Sequence, residues 1–123
     1  MTQIPDSAFR RSSLTGVTIP NTVISIGYLG FENSPNLSKL IIGNSVETIG
    51  GHAFQNCTTL TMVVIPASVT SLGDNAFEGC NILTGVYFEG DAPTAGSYVF
   101  LSANQSTVYY MSGTTGWTDP WCG

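Results

Sequence analysis

Apolar residues recur along this chain at two nested spacings. Within each stretch of about two dozen residues, an alternating Val-x-Ile marks a half-buried strand. Over the longer range, whole columns return every 23 residues. Leu14, Leu37, Leu60 and Leu83 form one, and Val17, Leu40, Val63 and Val86 another. Ile19, Ile42, Ile65 and Phe88 follow, then Val23, Val46 and Val69, then Ile26, Ile49 and Leu72. Gly27, Gly50 and Gly73 keep the spacing, and so do Phe31, Phe54 and Phe77. A first, partial copy is one residue short but still supplies Ile4, Ala8 and Phe9.

Such a period is that of a solenoid. One unit cannot bury its own apolar side, but stacked units can, because each column meets its copy one rung away. Strands in a sheet lie ~4.8 Å apart, so like side chains stack into ladders. The pattern predicts a leucine-rich-repeat type of coil, mostly β with short helical turns. Its strands should pair in parallel along one face, in about four 23-residue repeats followed by a degenerate C-terminal capping repeat. Pro20 and Pro66 should end the strand, because proline donates no ladder bond. The Val-x-x-Ile-Gly stretch reads as a second extended segment closed by a glycine turn. Asp74 reads as the N-cap of a short helical turn carrying Ala76 and Phe77. Phe31, Phe54 and Phe77, with Leu37, Leu60, Leu83, Cys57 and Cys80, are the expected core.

Residues 1–90 carry the repeats, the first one partial, and residues 91–123 a worn copy and a cap of the same domain. In the worn copy Phe100 takes the aromatic slot, and Val108 and Tyr110 replace Val86 and Phe88. Trp117 and Trp121 are candidates for a lid over the last rung. The first rung shows no such lid, so further copies upstream are expected.

Charged residues make up only 9% of the 123, and the net charge is −5. The polar surface comes instead from 28 Ser and Thr. The three basic residues, Arg10, Arg11 and Lys39, are too few to neutralise phosphates, which argues against nucleic acid. No apolar run approaches the ~20 residues of a membrane span.

The columns in "SVETIGGHAFQNCTTLTMVVIP" and "SVTSLGDNAFEGCNILTGVYFEG" resemble the BspA-type leucine-rich repeat family, strongly from about Ile4 to Phe88. The tail "STVYYMSGTTGWTDPW" is similar to the segment that often closes such repeats. The resemblance implies an extracellular or surface-attached, non-catalytic scaffold that binds matrix proteins, other cells or further copies of itself.

Few residues suggest chemistry. Cys57 and Cys80 share a column; a metal or redox pair is one reading, and small buried residues in a stack the other. Cys122 is left over as a thiol able to bridge between molecules. His52 is the only histidine, in a variable and exposed column, without the positioned nucleophile and acid that catalysis needs. Glu89 and Asp91 flank a glycine and could touch a cation, but no calcium-loop pattern is present. Chance explains the three glycosylation sequons at Asn36, Asn56 and Asn104. No catalytic residue, metal or cofactor is expected.

The informative surface is the outward side of the strand, where the residue between Val and Ile points away from the core. Ile41, Val64, Tyr87 and Tyr109 lie there, with Met62 beside them. They should form one apolar-aromatic stripe, the expected binding face for a protein ligand: extracellular matrix, another cell-surface molecule, or self. A glycan is a variant, since Tyr and Trp stack on sugars. End-to-end association into a fibre or surface layer is the structural alternative.

Overall fold

The computed structural model describes residues 2–118 and 121 and shows a parallel-strand solenoid without helices among them. Five very short strands, β1 Gln3–Ile4, β3 Ser25–Ile26, β5 Thr48–Ile49, β7 Ser71–Leu72 and β9 Thr94–Ala95, stack into one continuous parallel sheet. On the other side run β2 Gly16–Thr18, β4 Lys39–Ile41, β6 Met62–Ile65, β8 Gly85–Phe88 and β10 Thr107–Tyr110. Registers follow the sequence period: Ile26 sits beside Ile49, and Val63 beside Val86.

The alternating Val-x-Ile side is not one sheet as the sequence suggests. It divides into β2–β4 and β6–β8–β10, and no ladder joins β4 to β6.

Between the two sides the chain turns back through a third ladder, where the sequence suggests a helical turn. Backbone N–H groups there alternate between two acceptors. Ala53 and Gln55 donate within the turn, to Gly50 and His52, whereas His52, Phe54 and Asn56 donate to Asp74, Ala76 and Glu78 of the next rung. The same pattern joins Leu29, Phe31 and Asn33 to Gly51, Ala53 and Gln55, and Asn75, Phe77 and Gly79 to Ser97, Val99 and Leu101. It requires two left-handed residues per rung: Leu29 and Asn33, His52 and Asn56, Asn75 and Gly79. Asn and Gly tolerate that region best, which accounts for the second column of each pair. Asp74 is not an N-cap. Its Oδ1 accepts the N–H of Ser97 on the next rung at 2.8 Å, as Asp6 accepts that of Tyr28 at 2.9 Å.

The glycine column also has a different cause from the expected turn. A Cβ on Gly73 would lie 2.3 Å from the Gly51 nitrogen, and one on Gly50 2.8 Å from the Gly27 carbonyl carbon. Neighbouring rungs touch backbone to backbone here, and only glycine leaves room.

The interior is the set of stacked columns. Phe31, Phe54 and Phe77 are buried, and rings from Phe9 to Phe100 lie in one file, 5.2–5.8 Å between centroids and within 13° of parallel. Offset stacking of this kind adds ~0.5–1.5 kcal/mol per pair beyond burial. At the far end Trp117 and Trp121 meet Phe88 edge-on at 5.0 and 5.2 Å.

Candidate functional site

Outward positions of β4, β6, β8 and β10 alternate with the core, as pleating requires. Ile41, Met62, Tyr87 and Tyr109 are 39–51% exposed, and Val64 is half-buried. The two tyrosine rings stack at 4.7 Å, 9° from parallel. Gly85 makes this possible: a Cβ there would come within 2.7 Å of the Tyr87 ring, which lies back along its own strand. The result is a flat aromatic platform continuous with Val64 and Met62. A cleft of about 370 Å3 opens on it, lined by Met62, Val64, Tyr87 and Tyr109 together with Glu89, Tyr110 and Met111.

The sequence places Tyr110 in a core column and gives Met111 no role. Tyr110 occupies the column of buried Phe88 yet is 56% exposed, and its ring stacks at 4.7 Å on Trp117. The chain departs from the repeat just after it, and among the described residues Trp117 and Trp121, not a further rung, pack against the end of this column. A second cleft of about 390 Å3 lies along the break between β4 and β6, with Lys39, Ile41, Met62 and Val64 among its walls.

Elsewhere the candidates hold structural places. Buried Cys57 and Cys80 are free thiols, their Sγ atoms directed at the carbonyls of Phe31 and Phe54, 3.4 and 3.1 Å away. Burial pushes the Cys57 thiol up to about 12 from 9.0, against a lowering backbone hydrogen bond from Ser34. Cys80 rises further, again chiefly through burial. Thiolates are the reactive form. Ellman's reagent at pH 8 should therefore leave both thiols untouched in the folded protein and consume both after denaturation; fast reaction of either in the fold would contradict this burial. The unfolded chain releases these protons first, so stability should fall as pH climbs above 9. Cys122 lies outside the described residues.

His52, partly buried rather than exposed, spends Nδ1 on Gln55 Oε1 at 2.9 Å and meets Tyr28 edge-on. It adopts φ 57°, a position the turn ladder demands. Asp91 Oδ1 accepts the N–H of Thr115 at 2.9 Å, while Glu89 faces the first cleft. Among the described residues no group of three or more His, Cys, Asp or Glu converges as a metal site. No helix there is long and apolar enough to cross a membrane.

A family model described as a BspA type leucine rich repeat region, in six copies, matches residues 2–119. No curated protein matches significantly. Among solved structures, the chain is similar to a leucine-rich repeat protein from Bacteroides capillosus. They share 41% identity with TM-score 0.69, over 73% of this chain and 64% of that one. It is similar to the T. pallidum leucine rich repeat protein at 25% identity and TM-score 0.81, over 88% of this chain and 51% of that one. The fold alone is shared with the pneumococcal vaccine antigen PcpA, at 20% identity and TM-score 0.66, over 92% of this chain and 36% of that one. This chain thus spans between about a third and two-thirds of those proteins.

Proposed function

The chain belongs to the BspA-type leucine-rich repeat family, and from that premise we propose that it is a protein-binding module of a bacterial surface protein. Leucine-rich repeats generally mediate protein interactions, and their fold is typically a non-enzymatic scaffold. Non-catalytic adhesion is the finer reading for this chain. One observation carries it: the outward apolar-aromatic face of exposed Ile41, Met62, Tyr87 and Tyr109 with half-buried Val64 among them. Apolar patches of this kind mark contact sites, and tyrosine is enriched at interfaces. The surface location draws support from a further structural neighbour of the same fold, described as a leucine rich cell surface protein from Faecalibacterium prausnitzii.

The double substitution Val64→Ser and Tyr87→Ser should weaken capture of the partner by about tenfold or more, as removal of an interface anchor does. The partner is found by screening immobilised protein against matrix and cell-surface proteins. Because both side chains face outward, the thermal midpoint should move little. Unaltered affinity would remove this face from the site. A glycan array separates protein from sugar as the ligand.

A further inference from the structure

Most acidic side chains of this chain are engaged within the coil. Asp6, Asp74 and Asp91 accept the backbone N–H groups of Tyr28, Ser97 and Thr115, one turn further along the chain. Glu32 pairs with Arg10, and Glu78 accepts from Gln55 and Asn75. Glu89 differs. It is exposed, and its carboxylate makes no hydrogen bond or ion pair among the described residues. It stands in the wall of the cleft on the tyrosine platform, where no basic side chain joins it. The chain as a whole carries a net charge of −5.

Strand geometry accounts for this placement. Glu89 follows β8 two residues beyond Tyr87, so alternation carries both to the outward side. Met111 stands in the same relation to Tyr109, which is registered beside Tyr87. The Tyr87 ring lies back over Gly85 and so away from Glu89, which leaves a notch between the stacked rings and the carboxylate. β10 is the edge of its three-stranded sheet. Tyr109 therefore stacks on Tyr87 with one face and meets no further strand with the other.

We propose, on the premise that the strand face is the binding surface, that this cleft receives an arginine side chain of the protein partner, its guanidinium held by a tyrosine ring and the Glu89 carboxylate. Three features select that group. The faces of aromatic rings carry negative potential and attract cations, and three tyrosines line this one cleft. A carboxylate with no partner in its own chain favours a ligand of opposite charge, and such complementarity selects partners. Met62, Val64 and Met111 offer apolar surface to the methylene stem that a long cationic side chain buries. Arginine suits the site better than lysine, because its planar group stacks on a ring while its N–H fork meets a carboxylate. The cleft's volume, about 370 Å3, falls within the ~300–1,000 Å3 of ligand-holding clefts.

The test uses 15N-labelled protein and three peptides, acetyl-Gly-Ser-Xaa-Ser-Gly-amide, with Xaa arginine, citrulline or glutamate. Citrulline keeps the shape of arginine and removes its charge. The arginine peptide should move the amide signals of Tyr87, Glu89, Tyr109 and Met111 and leave those of Val23 and Phe54 in place. It should bind about tenfold more tightly than the citrulline peptide, the product of one exposed ion pair and one exposed cation–π contact. The glutamate peptide should bind most weakly. Glu89→Gln should narrow the preference for arginine to about threefold, the part left to the rings. High salt should narrow it in the same way, because an exposed pair is screened. Equal affinities for arginine and citrulline, a preference that Glu89→Gln leaves unchanged, or no signal change with any peptide overturns the assignment. The face itself is judged separately, by the Val64 and Tyr87 serine variant against the captured partner.

Discussion

Phe54→Ala is expected to lower the free energy of unfolding by about 3–5 kcal/mol. The ring is fully buried, with Phe31 at 5.2 Å on one side and Phe77 at 5.3 Å on the other. Its removal leaves a void that the neighbours cannot close. Rung spacing is set by backbone bonds on both sides of the gap: Phe31 N–H to the Ala53 carbonyl at 2.7 Å, and Phe54 N–H to that of Ala76 at 2.8 Å. Both stacking contacts disappear as well. Phe9→Ala is the internal control. That ring has one stacked neighbour and is 38% exposed, so its loss should cost about 1–2 kcal/mol. Urea unfolding of the two variants reads the difference directly. Equal losses would mean that the file of rings is not what holds the rungs together.

Gly73→Ala should destabilise by about 3 kcal/mol, the upper part of the usual overpacking range. The added methyl would meet the Gly51 nitrogen at 2.3 Å and the Gly50 carbonyl carbon and Gly51 Cα at 2.7 Å. All three are backbone atoms, so no rotamer change relieves the contact. Relief requires parting β7 from β5, the centre of the continuous sheet. Gly113→Ala provides the contrast. Gly113 has φ 88° and open space where a Cβ would go, leaving only the left-handed penalty of about 1–2 kcal/mol. If the two variants unfold at the same urea concentration, close approach does not explain the glycine column.

The solenoid and its period were legible because the columns report burial directly. Leucine, valine and phenylalanine recur wherever one rung covers the next, and Phe54 or Val63 needs no other information to be placed. Other features escaped because one residue type answers several physical needs. Gly50 and Gly73 read equally well as turn formers and as points of close approach; only the position of the missing Cβ separates them. The left-handed positions are hidden for the opposite reason. Leu29, His52 and Asn75 share a backbone conformation and no side-chain chemistry, so their column looks merely variable. Likewise, the helical turn expected around Ala76 and Phe77 gives way to hydrogen bonds between rungs, a long-range pairing that local propensity cannot see. The outward stripe could be read from strand alternation alone. The break beside it could not, since Leu40, Ile41, Met62 and Val63 keep their columns without fault on either side of the gap.

The turn ladder has a further consequence. Every backbone bond of this ladder that crosses between rungs points the same way, N–H toward the later rung, whereas beside the five short strands the bonds run back, as from Gly73 N–H to the Ile49 carbonyl. The turn edge of the coil is therefore polar. The carbonyls of Asp6, Ala8 and Arg10 face outward at one end without such donors, and the N–H groups of Tyr98, Phe100 and Ser102 face outward at the other without such acceptors. Two such edges of the same kind would set donor against donor or acceptor against acceptor. Through these turns a carbonyl edge matches only an N–H edge, a head-to-tail relation rather than a twofold one.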